Sequence, residues 1–395
     1  MKKLFTLLAV MVTIFSLSAQ TTETMTWDDS TRQYLKYVPA SYDPSTPAPV
    51  LFALHGLGGN MDDLTDVGFK EIADQHGWIV IYPQATVATA TILAYSMSIG
   101  TAWNAGITVN TTFDYGGYSL PINVSVNSEV DDAGFLLAIL DDLIANYNVD
   151  QNNVFITGFS MGGFMSNRMA MEHGDRIRAI ASVSGTIGND MAARTPVAPI
   201  NVMHIHGTAD GTVSYDSAMM TIEGLNANVG IGAEQTVEFW RNFNQCSATP
   251  QVTSYPDTQN DGLTFEQSLY TDGTNGKKVA FIKVNGGDHT WYYTPQNDID
   301  YATEIYNFFV SCMAPVGIDE SKAQTFSVYP NPANTVVNIA GENIDDICIY
   351  NAIGEKMLST NEQCINVSNF ANGLYLVRVV FKNGESSTQN LLISK

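Results

Sequence analysis

Three side chains of this 395-residue chain could together carry out acyl transfer: Ser160, Asp210 and His289. Ser160 lies in "VFITGFSMGGFMSNRM", where branched apolar residues give way to glycines around one serine and then to helix formers. A Gly-x-Ser-x-Gly turn from strand to helix forces its serine into a strained backbone conformation, and the flanking glycines leave room for it. The hydroxyl then stands at the carboxyl edge of a sheet, ahead of a helix amino terminus whose partial positive charge favours a developing oxyanion. Such a serine is inert without a base, so a histidine must come near it.

Sites of this kind on α/β sheets run serine, acid, histidine along the chain, which leaves His173, His204, His206 and His289 downstream of Ser160. His173 lies in the helix that leaves the turn and points away. His204 and His206 precede the best acid and read as residues of a strand. A metal reading of that pair lacks a clustered third ligand, so a packed-core reading is preferred and no metal is expected. His289, in the glycine-rich "VNGGDHTWYY", is the expected base. Asp210, in "NVMHIHGTADGTV", follows an apolar strand through a Gly-Thr turn and is the expected acid; the rival Asp288 adjoins His289 and its side chain should point elsewhere. "LFALHGLGGN" ends an early strand in a His-Gly-x-Gly-Gly turn, so Met161 and Leu57 are expected to supply the oxyanion N–H groups. His55 should shape that loop rather than transfer protons. Together with Trp103 and Trp291 it is expected to border the substrate.

The elements that must position these groups follow from hydrophobic patterning. "PVLFALHG", "WIVIYPQ", "NVFITGFS", "AIASVSG", "NVMHIHG" and "VAFIKVNGG" read as buried parallel strands. Helices are expected over 62–75, 131–147, 161–172, 234–243 and 301–310. In "DDAGFLLAILDDLIANYN", Phe135, Leu136, Ile139, Leu140 and Leu143 make one apolar face with Asp141 and Asp142 outside it. Strand and helix in alternation imply an open, mostly parallel sheet flanked by helices. Residues 85–130, rich in Thr, Ser, Gly and Asn, interrupt the rhythm after a strand's carboxyl end. They read as a cover or wall over the site, or as a plain surface excursion.

Composition bounds the rest. At 45% hydrophobic residues the chain can bury a full core. Residues 1–20 read as a secretory signal: Lys2 and Lys3, an apolar run, then Ser16, Ser18 and Ala19 near a cleavage point. The run falls short of the ~20 residues that a membrane span needs, so no span is expected in the mature chain. The net charge of −22 repels phosphate backbones and anionic lipid, which excludes nucleic acid as a partner. Four cysteines suit an oxidising compartment; Cys246 is expected to pair with Cys312 and Cys348 with Cys364, the alternative being four free thiols.

After Cys312 the composition changes: 314–325 reads as a linker, and 326–395 as short alternating strands of a small antiparallel β-sandwich. It contains no histidine and cannot carry a hydrolytic triad alone. "VYPNPA", "IYNAIGEKM", "GLYLVRV" and terminal Lys395 resemble the C-terminal sorting domain of the bacterial type IX secretion system. The resemblance implies an address read by that machinery; a carbohydrate-binding module is the generic alternative.

The segment 21–313 is expected to be the catalytic domain. "LHGLGGN", "AWN", "VDDAGFLLAILDDL", "YNVDQNNVFITGFSMGG", "HIHGTADGTVSY", "FWRNFNQC" and "GGDHTWYY" carry a further likeness. Residues 48–312 resemble the secreted α/β-hydrolase esterases of the polyhydroxybutyrate depolymerase and feruloyl or acetylxylan esterase type, grouped with carbohydrate esterase family 1. The resemblance implies an α/β-hydrolase fold, an exported serine esterase with Ser160, Asp210 and His289 as triad, no metal or organic cofactor, and a polymeric ester substrate. Feruloyl or acetyl esters on plant polysaccharide come first and a polyhydroxyalkanoate second. A surface binding protein on a decayed hydrolase fold is the non-enzymatic alternative. The chain departs from the family between 107 and 130, which is longer than the pattern leads one to expect.

Overall fold

The computed structural model describes residues 19–92, 95–115, 118–222, 225–313, 326–351, 354–382 and 386–395. The linker at 314–325 lies outside them, as does the segment read as a signal, save Ala19 and Gln20, which open the first strand. The chain divides into two compact units, Met1–Ala314 and Pro315–Lys395.

Unit 1 begins with β1 (Ala19–Trp27), β2 (Ser30–Val38) and β3 (Ala48–Leu54), then α1 (Phe69–His76) and β4 (Ile79–Pro83). Four strands follow, β5 (Thr86–Ile92), β6 (Tyr95–Ala102), β7 (Thr108–Tyr115) and β8 (Tyr118–Ser125), then α2 (Asp132–Asn146). Next come β9 (Val149–Phe159), α3 (Met161–His173), β10 (Ala179–Val183), β11 (Asn201–Gly207), β12 (Met219–Ile222) and β13 (Leu225–Asn228). The unit closes with α4 (Ala233–Asn244), β14 (Gln251–Ser254), β15 (Thr264–Tyr270), β16 (Val279–Asn285) and α5 (Tyr301–Cys312).

The main sheet has the order β1-β2-β4-β3-β9-β10-β11-β16-β15-β14. Its six central strands, β4 to β16 in that order, are parallel and are the six apolar runs of the sequence. They read as unbroken hydrophobic stretches because both sheet faces are covered. Val50, Phe52 and Leu54 enter one core with Phe135, Leu136, Met165 and Trp240 of α2, α3 and α4. Leu51 and Ala53, alternating with them, enter the other with Phe69 of α1 and Ile305 and Phe309 of α5. The result is a three-layer α/β sandwich with two antiparallel strands at each edge of the sheet.

Helix ends follow side-chain chemistry. Asp131 accepts from Gly134 N to cap α2, and Asp300 accepts from Thr303 N to cap α5. The helix expected from residue 62 starts only at Phe69. Asn60 and Asp63 spend their side chains on the backbone of a turn, Asn60 Oδ1 taking Asp62 N and Asp63 Oδ2 taking Asn60 N. Such local bonds compete with helix, and Gly68, at φ 109°, then sets the start.

Residues 85–130 are not an irregular loop. β5 and β6 form one hairpin, while β7 and β8 join β12 and β13 in a separate four-stranded sheet. Unit 2 holds two antiparallel sheets, one of β17 (Ser327–Tyr329), β18 (Val336–Ala340) and β21 (Cys364–Asn366), the other of β19 (Ile344–Tyr350), β20 (Lys356–Thr360), β22 (Gly373–Phe381) and β23 (Ser386–Ile393). Its own core includes Val337, Ile347, Ile349, Val377, Val379 and Leu391.

The expected disulfides are corrected: all four cysteines are free thiols. Cys246 Sγ lies 3.5 Å from Lys277 O, whereas Cys312 Sγ lies beside Ser311 Oγ. Cys348 and Cys364 sit in different sheets of unit 2, and Cys348 Sγ faces Asp346 and Ser359.

Candidate active site

The turn between β9 and α3 explains why the sequence places Ser160 between glycines. Ser160 has φ 54° and ψ −119°, a conformation costly for any residue with a Cβ. The surroundings hold it there. Ser160 N donates to Val183 O at 2.8 Å, and Ser160 O accepts from Gly163 N and Phe164 N. A Cβ on Gly158 would stand 2.2 Å from the Gly162 carbonyl, and one on Gly162 would stand 2.0 Å from Leu54 O. No side chain fits at either place, so the turn closes only with glycine.

The Gly162 contact also shows that the loop after β3 lies against the turn. A Cβ on Gly56 would meet Ser160 Cβ at 3.3 Å. In that loop Gly58 N donates to Thr101 O and Gly59 N to Gly56 O. Among the described residues, Leu57 N has no hydrogen-bond partner, and Met161 N, first in its helix, has no intrahelical acceptor. Leu57 follows Gly56 and Met161 follows Ser160, the two residues that meet at this contact.

Asp210 and His289 meet although 79 positions separate them: His289 Nδ1 lies 2.8 Å from Asp210 Oδ2. Asp210 follows β11 in a tight turn whose Thr212 N and Val213 N both donate to its Oδ1 at 2.8 Å. The carboxylate is thereby fixed with Oδ2 toward the imidazole. The His289 ring packs on Phe159, the residue before Ser160, with centroids 4.9 Å apart. Asp288 points elsewhere: its Oδ1 accepts from His289 N and Gly211 N, and these bonds hold its carboxyl below the usual range.

His55 is 1% exposed. Its Nδ1 donates to Gly56 O at 2.7 Å and its Nε2 accepts from Ala85 N at 3.1 Å, so one neutral tautomer is locked in. Burial pushes its pKa down. It shapes the loop, and the expectation that it borders the substrate is corrected. Trp103 is corrected likewise: it is fully buried, and its Nε1 donates to His55 O at 2.9 Å. Trp291 is half-buried among Phe69, Phe159 and Tyr301, with a buried Nε1 that has no partner.

Two residues near the site were not expected there from the sequence, Thr101 because it was not named and His206 because it read as packed core. Thr101, on β6, braces the loop after β3: besides the bond to Gly58 N, its Oγ1 donates to Gly59 O. His206 lies 3.4 Å from Asp210 Oδ2. Its signal was its place four residues before the acid, at the end of the strand that carries it. Among the described residues, no group of three His, Cys, Asp or Glu is arranged to hold a metal ion. No helix of the described residues is long and apolar enough to cross a membrane.

Residues 121–240 match the phospholipase/carboxylesterase family, a stretch that includes Ser160 and Asp210 and stops short of His289. The chain is similar to esterases over part of its length. Residues 327–394 match the secretion system C-terminal sorting domain. The chain is 26% identical to feruloyl esterase D of Neurospora crassa over 68% of this chain and 77% of that protein. It is 25% identical to the bifunctional acetylxylan esterase/xylanase XynS20E of Neocallimastix patriciarum over 64% of this chain, spanning only 30% of that relative. A solved acetyl xylan esterase from Aspergillus awamori superposes on this chain with TM-score 0.48 at 16% identity, over 73% of this chain and 99% of the other.

Proposed function

We propose that the chain is an exported serine esterase that cleaves acyl esters on plant polysaccharide through an acyl-enzyme on Ser160. One observation carries the reading: the 2.8 Å bond from His289 to Asp210, with the His289 ring seated on the residue next to the strained serine. Asp210 can only accept there, so Nδ1 of His289 holds the proton and Nε2 is left as the base. Nε2 takes the proton of Ser160 as its oxygen attacks the ester carbonyl. The negative oxygen of the tetrahedral intermediate falls to Leu57 N and Met161 N. His289 then protonates the leaving alcohol, and water repeats the sequence in reverse roles to release the acid.

The relatives' names support feruloyl or acetyl groups as the acyl part and plant polysaccharide as the carrier. The sorting domain supports export to the cell surface or beyond, and a signal at residues 1–20 would carry the chain through the periplasm on the way. The assay is hydrolysis of methyl ferulate, acetylated xylan, short p-nitrophenyl esters and polyhydroxybutyrate by wild type and Ser160→Ala. Wild-type rates in the mutant would refute the nucleophile. Cleavage of the polyester alone would replace the substrate.

A further inference from the structure

The triad acid carries a second histidine that the chemistry above leaves unused. His206, fully buried on β11, has Nε2 at 2.9 Å from Val213 O and 3.4 Å from Asp210 Oδ2. A carbonyl oxygen can only accept, so Nε2 bears the proton and donates to Val213 O, which places the N–H beside the Asp210 carboxylate at 3.4 Å. Nδ1 of the neutral ring is then an acceptor, and His204 Nε2 stands 3.2 Å from it. His204 Nε2–H is the donor that matches it. Burial depresses the pKa of both rings and keeps them neutral.

The groups that face this pair are few. His204 adjoins His206 on its own strand, Tyr215 meets it edge-on with centroids 5.9 Å apart, and Asp210 and His289 lie on the site side. Behind Tyr215, Glu234 accepts from its hydroxyl and from Lys283. Tyr292 and Tyr301 face Asp210 from the other side. Among the described residues, His289 donates to Asp210 Oδ2 and the His206 N–H stands 3.4 Å from the same oxygen.

We propose that His206 is a positioning residue for the triad: its Nε2–H, with the tautomer set by Val213 O, keeps Asp210 Oδ2 in line with His289 Nδ1. A neutral donor suits the task. A charged one would cancel the carboxylate charge that the imidazolium of His289 requires during catalysis. The inference rests on the esterase reading above.

The test is His206→Phe, which keeps the bulk and removes both ring nitrogens, assayed in the full chain on a short p-nitrophenyl ester from about pH 5 to 9. Losing one donor makes Asp210 more basic, so the His289 imidazolium is held more tightly and the acid limb of kcat/KM moves to higher pH. A looser carboxylate lowers kcat by about 10- to 100-fold with little change in KM. His206→Gln, which returns an N–H near the same place, brings the acid limb back. Wild-type kcat and acid limb in His206→Phe would overturn the proposal. So would kcat and KM worsening together while the limb stays put, the signature of a packing defect. If His206→Phe does not fold, ¹⁵N shifts of labelled histidines in the wild-type chain decide: a neutral Nε2–H ring at residue 206 supports the proposal, and an Nδ1–H or protonated ring overturns it. A wild-type chain without esterase activity refutes the esterase reading instead, and the tautomer measurement still judges whether His206 turns an N–H toward Asp210.

Discussion

Replacing Asp210 by Asn isolates what the acid does. Thr212 N and Val213 N both donate to Oδ1, so an asparagine must keep its carbonyl oxygen there. Its NH₂ then occupies the place of Oδ2, 2.8 Å from His289 Nδ1 and 3.4 Å from His206 Nε2. Facing a donor, His289 must turn Nδ1 into an acceptor and move its proton to Nε2, the atom that has to take the proton of Ser160. The base is lost while the fold is kept. In the general Ser-His-Asp template this tautomer error lowers kcat by about 10⁴, equivalent to ~5.5 kcal/mol of barrier at 1.36 kcal/mol per decade. A donor facing the His206 N–H adds a stability cost of about 1–3 kcal/mol. The assay is kcat and KM on p-nitrophenyl acetate alongside thermal melting. A folded Asp210→Asn chain that retains more than about a tenth of the wild-type kcat, set against that template loss, would refute the reasoning.

His55, His204 and His206 are buried with pKa values pushed below the usual 6.5, chiefly by desolvation. Their stabilisation is complete above the unfolded value and is lost as pH falls below it, at up to about 1.4 kcal/mol per pH unit for each ring; urea midpoints should fall between about pH 6.5 and 5, and a flat profile would contradict neutral burial. Arg32 and Asp132 form a buried pair at 2.6 Å. Asp132 also accepts from Asn104 N, so Arg32→Ala should cost about 3–5 kcal/mol in chemical denaturation, and a loss below about 1 kcal/mol would show the pair to be solvated. With four free cysteines, thiol titration in denaturant should find every one reactive and a reductant should leave the melting temperature unchanged. Gly162→Ala, whose Cβ would strike Leu54 O, should abolish activity by opening the turn; a fully active variant would contradict the packing described.

Much of this molecule was legible along the chain. The six central strands announce themselves because a strand covered on both faces has no polar alternation to blur it. β1 and β14 did not, since they are the edges of the sheet and Gln251–Ser254 is exposed throughout. The pairing of Asp210 with His289 could be expected from turn chemistry and order alone, and the two stand 2.8 Å apart. Trp103 and His55 were misread as substrate contacts because sequence carries residue type but not burial, and the packing of β5 and β6 against the loop after β3 seals both away.

The amino-acid order therefore determined which groups can react and which strand ends present them, since both follow from local backbone preference and hydrophobic period. Only the tertiary structure decided their partners. Hydrogen bonds depend on fractions of an ångström between segments distant in sequence, and it took the assembled sheet to set His289 beside Asp210 and the packing of each unit to leave four cysteines unpaired.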